Sequence, residues 1–357
     1  MGVFKDILTS DESLFKNSVA LDYDFMPKVV PFREQQQRHI ASCIKPLFSK
    51  LNGRNIFVYG KPGIGKTVAT KHLLEEIEQE TDEIIPIYVN CWQNNTTFKI
   101  YGKICEVLGY SLTHNKKSEE LFRIIKNIAN KKSAVFVFDE ADKIEDFDFL
   151  YSILEEVYRK SVILITNNKE WLLEIEPRIK SRLNPDTVEF QQYNEQETYE
   201  ILKQRSSYAF SPDVWENNAF EHIAKKTYEL GDIRTGLHLL RESAMIAESK
   251  SLRNVTLEHA KEALVKLDEF SIKKSTDLED DTRFILNVVK SNQDKKIGDL
   301  FKVYSEQGGK SGYKTFQRKI AKLEQNSFIE VKKTEGGLEG NTSIISYKKP
   351  EKKLTDF

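Results

Sequence analysis

A chain of 357 residues, with 39% hydrophobic and 31% charged residues, is long enough for two or three domains and has an ordinary globular makeup. It has no run of about 18 or more apolar residues, and its opening MGVFKDILTSDESLF lacks a basic start followed by an apolar stretch. The expectation is therefore a cytoplasmic protein with no membrane partner. The formal charge of −1 hides an asymmetry: residues 282–357 carry roughly +7 and the preceding residues roughly −8. A basic C-terminal unit on an acidic body suits either a polyanionic partner or a plain solvated face.

Three cysteines, Cys43, Cys91 and Cys105, form no CxxC pair, and the six histidines are scattered without zinc-ligand spacing. Residues 35–51 (QQQRHIASCIKPLFSKL) have apolar residues at helical spacing, with Pro46 set to interrupt them. A short apolar run, Asn55–Tyr59, predicts a buried strand, and residues 67–79 the helix that follows a glycine-rich loop. Further strands are expected at Ile84–Asn90, Ala134–Phe138 and Ser161–Thr166, with helical segments between them. Strands alternating with helices imply a mostly parallel sheet in an α/β core over residues 1–192. The pattern then turns all-helical over 193–270, and the polar stretch 271–281 reads as a linker.

The loop between the first strand and its helix is GKPGIGKT, residues 60–67, a full match to GxxxxGK[ST] in the strand–loop–helix setting that its chemistry requires. Gly60, Gly63 and Gly65, with Pro62 and Ile64 between them, let backbone N–H groups close around phosphate oxygens. The helix start from Lys66 through Val68 adds its positive dipole end. Lys66 is placed for the β- and γ-phosphates of ATP or ADP, and Thr67 for Mg²⁺. Downstream, VFVF at 135–138 is followed by Asp139 and Glu140. Asp139 is expected to hold Mg²⁺, directly or through water, and Glu140 to polarise the attacking water. The strand Ser161–Ile165 runs into Thr166, Asn167 and Asn168, and Asn167 is the preferred polar residue between γ-phosphate and water.

The last block, 282–357, reads as a winged helix-turn-helix. Helices are predicted at Arg283–Lys290, Ile297–Ser305 and Tyr313–Asn326, with a turn at Gly308–Gly312. Tyr313, Phe316, Ile320 and Leu323 form the inward stripe of the third helix. Ser311 at the turn and Lys314, Gln317, Arg318 and Lys322 on other faces can reach phosphates and base edges of duplex DNA. Phe328–Val331 and Thr342–Tyr347 are the wing strands, and 332–341, with Gly337 and Asn341, is the wing tip.

The order of these parts resembles the AAA+ ATPases, and within them the archaeal replication initiators of the origin-recognition and helicase-loader family. The resemblance runs over nearly the whole chain. VVPFRE at 29–34 resembles the motif bordering the adenine, which implies contacts from Val29 and Val30. IYVNC at 87–91 resembles the strand leading into an initiator-specific helical insertion, although Trp92 stands where the family often has a basic residue. VEFQQY at 188–193 resembles the hinge into the lid and brings Tyr193 to the nucleotide. GDIRTGLHLL at 231–240 resembles the second-sensor helix, which implies that Arg234 reaches the γ-phosphate. PRIKSR at 177–182 resembles the motif whose arginine faces a neighbouring subunit's nucleotide; Arg178 fits the family position and Arg182 the clamp-loader form. The resemblance implies a nucleoid-associated ATPase that binds origin duplex DNA, helps to load the replicative ring helicase and meets neighbouring initiator subunits. The competing reading is a remodeller or regulator of clamp-loader or transposition type, whose winged helix binds protein.

Overall fold

The computed structural model describes residues 13–276, 280–309, 311–325, 329–334 and 342–347. Five strands, β1 (Ile56–Tyr59), β2 (Ile84–Asn90), β3 (Ser133–Asp139), β4 (Lys160–Thr166) and β5 (Asp186–Glu189), form one sheet of order β2-β3-β4-β1-β5. Every neighbouring pair is parallel. Side chains alternate between its two faces, as strand geometry dictates. Phe57, Phe136, Phe138 and Leu164 enter one apolar layer, and Ile56, Val58, Val135, Val137, Ile163 and Ile165 the other. Both layers are buried, so β3 and β4 read as nearly unbroken apolar runs.

Helices α1 (Glu34–Ile44) and α2 (Lys66–Glu80) cover the second layer. Helices α3 (Thr97–Val107), α4 (Ser118–Ala129) and α5 (Asp148–Glu156) cover the first. The helix expected over 35–51 stops at Ile44. Pro46 lacks the N–H needed to continue the α ladder, and Lys45–Ser49 tighten into a 3₁₀ turn. After β4 come α6 (Trp171–Glu174) and α7 (Pro177–Leu183). The lid comprises α8 (Glu195–Ala209), α9 (Asn217–Leu230) and α10 (Ile233–Ser249). Helix α8 opens on a reciprocal cap, with the Glu197 N–H on Asn194 Oδ1 at 2.8 Å and the Asn194 N–H on Glu197 Oε2 at 2.9 Å.

The chain divides into two compact units, Met1–Leu257 and Glu258–Phe357. The expected division at 192/193 does not separate units, because the lid is tied to the core on two sides. Arg205 of α8 donates to the carbonyls of Ala20 and Asp22 at 2.6 and 2.7 Å, and the Ile233 N–H donates to Gly63 O at 3.2 Å. The expected linker is also corrected. Helix α11 runs Leu257–Thr276, through residues 271–276, and α12 (Asp280–Ser291) already includes Asp280 and Asp281. Residues 271–276 contain no Gly or Pro to stop the helix, so polarity alone was a poor breaker signal.

In the second unit, α12, α13 (Ile297–Glu306) and α14 (Tyr313–Gln325) pack with β6 (Lys295–Lys296), β7 (Ile329–Thr334) and β8 (Thr342–Tyr347). The strands are antiparallel in the order β6-β8-β7, which completes a winged helix-turn-helix arrangement. Phe316, Ile320 and Leu323 of α14 are buried as expected. Tyr313 is not: it is 39% exposed, at the first turn of α14, with its ring edge against Phe301. Residues 332–334, expected in the wing tip, extend β7 instead. The rest of the expected tip, 335–341 with Gly337 and Asn341, lies outside the described residues.

Candidate nucleotide-binding site

Strand order builds this site. In the sequence β2-β3-β4-β1-β5, strand β4 lies between β3 and β1. The loop after β1, the acidic pair ending β3 and the asparagine after β4 therefore emerge side by side at the carboxyl edge of the sheet. The N-terminus of α2 faces the same edge. They open onto a cavity of about 430 Å³ lined by Pro62, Gly63, Gly65, Lys66, Thr67 and Val68, together with Asp139, Glu140, Asn167 and Arg234.

The loop needs its glycines. Gly60 has φ +148°, and a Cβ there would stand 2.3 Å from Phe190 O. Gly63 has φ +71°, and its Cβ would stand 1.9 Å from Asp232 Oδ1 of the lid. Both positions combine a left-handed backbone with close approach, which only glycine tolerates. Ile64 is buried beneath the loop, and its carbonyl accepts from Arg33 Nε and Nη2 at 3.1 and 3.0 Å.

Lys66 Nζ donates to Gly60 O at 2.8 Å, Lys61 O at 2.7 Å and Asn167 Oδ1 at 2.7 Å. Burial lowers its pKa to about 8, against the partial support of Asp139 and Glu140. A phosphate in the loop restores the charge that burial disfavours. Asn167 Nδ2 donates to Glu140 Oε2 at 3.1 Å, so one amide connects the lysine to the acid. Glu140 itself has φ +55°, an uncommon left-handed backbone for a non-glycine residue. This kink ends β3 and turns the carboxylate into the cavity. Burial, then the charges of Asp139 and Asp142, raise the Glu140 pKa above the usual carboxylate range.

Asp139 is 3% exposed and fully engaged. Its Oδ2 accepts from Thr67 Oγ1 at 2.6 Å and Tyr88 Oη at 2.8 Å, and its Oδ1 from the Glu140 N–H at 2.9 Å. Thr67 and Asp139 thus present adjacent oxygens, a donor set suited to a hard divalent cation. Tyr88, on β2, is a site residue that sequence reasoning missed. The clue was present in the register, which sets Asn90 of β2 opposite Asp139 of β3, so Tyr88 shares the face.

The base end of the cavity holds other unforeseen residues. Tyr23, Met26 and Pro27 line it, from a segment before α1 that the sequence did not assign, and Pro31 joins them from the expected 29–34 motif. Val30 lines it as expected, but Val29 is 55% exposed and does not. Alternation along an extended segment turns only one of the pair inward. Tyr193 lines the cavity, with Arg33 3.7 Å over its ring and its hydroxyl next to Gly65. Arg33 also donates to Gln191 O at 2.6 Å, so this buried arginine ties α1, the phosphate loop and the hinge together.

Arg234 lines the cavity from α10, where Asp232 holds it through contacts of 3.0 and 3.1 Å. Arg178 does not reach this cavity. It projects from α7, 54% exposed, and pairs with Glu176 at 2.7 Å and Asp148 at 3.8 Å. Arg182 pairs with Glu155 on the same helix face. In the second unit, Lys314, Gln317 and Arg318 are all exposed on α14. Lys322 falls in the same helix. Ser311 is not free: its hydroxyl donates to Asp281 Oδ2 at 2.6 Å and its N–H to Tyr304 Oη at 3.0 Å. Burial opposes ionisation of Asp281, but hydrogen bonds from Lys319, Ser311 and Tyr304 outweigh it and hold the pKa at about 2.

Comparison with known proteins adds to this geometry. The family model described as AAA domain matches residues 50–171, and the Cdc6 AAA+ ATPase-type lid domain matches 199–264. The ORC1-type DNA replication protein 2 of Methanothermobacter thermautotrophicus is 29% identical, over 96% of this chain and 94% of its own length. The chain carries an AAA+ core and a Cdc6-type lid, and it is similar along almost its whole length to the archaeal ORC1-type replication proteins. Another relative, ORC1-type DNA replication protein 1 of Sulfurisphaera tokodaii, is 27% identical over 96% of this chain and 93% of its own. Among solved structures, the Aeropyrum pernix ORC1 protein in complex with DNA superposes with a TM-score of 0.75 at 24% identity, covering 94% of each chain. The Aeropyrum pernix ORC2 protein, solved as ADPNP–ADP complexes, gives 0.65 at 17% identity over 95% of each chain. The cavity beside Lys66 lies within the stretch that the AAA domain model matches on its loop side, and Arg234 reaches it from the stretch that the lid model matches.

Proposed function

We propose that the chain is an ATP-controlled replication initiator that binds duplex DNA at an origin. The observation that carries this reading is the likeness to ORC1-type replication proteins along almost the full length of both chains, winged helix included. No helix among the described residues is long and apolar enough to cross a membrane, in keeping with a nucleoid-associated role in the cytoplasm.

The site geometry supports a sequence of roles. Phosphates of ATP seat against the N–H groups of loop 60–67 and replace Asn167 and the two carbonyls as partners of Lys66. Thr67 and Asp139 would hold Mg²⁺ through their adjacent oxygens, and the ion would supply positive charge to offset that of the phosphates. Glu140, with its raised pKa, is poised to polarise the attacking water, and Asn167, released from the lysine, keeps its amide on Glu140. Arg234 leaves Asp232 for the γ-phosphate, which draws on the lid helix that already bonds to Gly63. Arg178, exposed, paired with Glu176 and Asp148 and lying 5.2 Å over the Tyr151 ring, is placed to serve a neighbouring subunit's nucleotide. Surface pairs of this kind are worth about 0–1 kcal/mol, so releasing the arginine costs little.

The winged helix contributes duplex binding. Exposed Lys314, Gln317 and Arg318 on one helix match the length and charge of a major-groove contact. We further infer a part in loading the ring helicase, from the family resemblance. Titration of labelled duplex DNA at several salt concentrations tests the DNA reading. Affinity should fall steeply with salt, because each phosphate neutralised releases counterions. A salt-independent affinity, or no duplex binding with a tight protein ligand instead, would favour the protein-binding alternative.

A further inference from the structure

The sequence shows no zinc-type spacing, yet the fold brings three metal-ligand side chains together away from the nucleotide. His39 and Cys43 stand one turn apart on the same face of α1, and Asp186 is the first residue of β5. Asp186 lies at the opening, amino-terminal end of its strand, whereas the phosphate loop lies beyond the carboxyl end of β1. His39 Nε2 is 3.5 Å from Asp186 Oδ2, and Cys43 Sγ is 3.4 Å from the same oxygen. All three donor atoms lie within 4.8 Å of one another. A tetrahedral ion with bonds of about 2.0–2.1 Å to N, 2.3 Å to S and 2.0–2.2 Å to O has donor–donor edges of roughly 3.3–3.6 Å. The two measured edges fall in that range without any backbone movement.

The surroundings suit a bound ion as well. The Asp186 N–H is fixed on Asn55 O at 2.9 Å, so the carboxylate is carried by an ordered strand start. Arg54 Nη1 donates to Asp186 Oδ2 at 2.5 Å and its Nη2 to Ser42 Oγ at 3.2 Å. A carboxylate oxygen has two lone pairs, so one can accept from Arg54 while the other faces an ion; ligating carboxylates are commonly hydrogen-bonded in this way. Cys43 is buried and His39 is 45% exposed, which leaves the histidine side open for entry and for a fourth ligand such as water.

The geometry points to a zinc-type divalent cation site at His39 Nε2, Cys43 Sγ and Asp186 Oδ2, which staples α1 to the edge strand β5. The N, S, O donor set selects a borderline-soft ion such as Zn²⁺ or Co²⁺ over Mg²⁺. Binding deprotonates the Cys43 thiol and releases that proton to solvent.

The test is titration of the full, reduced chain with Co²⁺ in the presence of excess Mg²⁺ and ADP, which occupy the oxygen-donor site by the phosphate loop. One equivalent should produce a near-ultraviolet sulfur-to-cobalt charge-transfer band with the strong visible bands of four-coordinate Co²⁺, and Zn²⁺ should remove both. Cys43→Ser should abolish the charge-transfer band. His39→Ala, a surface change that leaves the core intact, should weaken Co²⁺ at least about tenfold, at or beyond the low end of the loss typical for an altered metal shell. Cys91→Ser and Cys105→Ser should leave the band in place. Absence of the band in the parent chain overturns the proposal, and so does its persistence in Cys43→Ser or an unchanged affinity in His39→Ala.

Discussion

Tyr88→Phe is the most informative single change at the nucleotide site. The substitution keeps the ring, and with it the Lys71 ammonium 4.5 Å above it, and removes only the hydroxyl that donates to Asp139 Oδ2 at 2.8 Å. Asp139 keeps its bonds from Thr67 and from the Glu140 N–H, so the carboxylate stays in place but loses one of three donors. A hydrogen bond to a charged group is worth about 1.5–3 kcal/mol. A metal ion held at Asp139 would compete for the same oxygen, so part of that bond would constrain the carboxylate and part would screen it. The orienting role dominates if Tyr88 accompanies Asp139 into the metal-bound state. Loss of such an outer-shell partner typically weakens metal binding by roughly 10–100-fold. The assay is the Mg²⁺ dependence of fluorescent ATP-analogue binding, run beside a chelator control. The apparent Mg²⁺ affinity should fall about tenfold or more, while analogue affinity in chelator stays near the parent's. An unchanged Mg²⁺ dependence, or an equal loss with and without the cation, would refute the positioning role.

Other outcomes follow from the same geometry. Lys66 has a pKa of about 8 in the free site, and bound phosphate raises it. Its contribution to binding is therefore complete below about pH 8 and is lost as pH rises above it; calorimetry in buffers of different ionisation enthalpy should detect proton uptake on ADP binding near pH 8.5, and none in Lys66→Ala, whose affinity should collapse. Glu140→Gln should retain ATP but slow single-turnover hydrolysis at least about tenfold, since a positioned acid or base contributes roughly 10²–10⁴; it should also remove the fall in rate at low pH that protonation of the raised-pKa carboxylate produces. Arg318→Ala should cost a specific duplex about 1–3 kcal/mol with little effect on random DNA if the arginine reads a base, measured by anisotropy titration.

The parts legible in the sequence were those written in contiguous stretches. The loop 60–67, the acidic pair after β3 and Asn167 after β4 each follow a short apolar strand, and the parallel sheet brings the three strand ends together. What stayed hidden arrives from elsewhere in the chain. Tyr88 faces Asp139 only through the β2–β3 register, Arg33 is recognisable only once it is seen buried between loop and hinge, and the segment around Tyr23–Pro27 has no periodicity to mark it. Segment 271–276 misled for the opposite reason, since its polar residues are all compatible with a helix. His39 and Cys43 are visible together in α1, but their third partner is 143 residues from Cys43 along the chain.

ATP-controlled recognition of an origin can be tested by footprinting the full chain on fragmented genomic DNA of its source with ATP and Mg²⁺. Protection should fall on one or a few clusters near a replication start, weakened by Lys66→Ala in nucleotide dependence and by Arg318→Ala in sequence preference. Uniform, sequence-independent protection, or none at all, would contradict it.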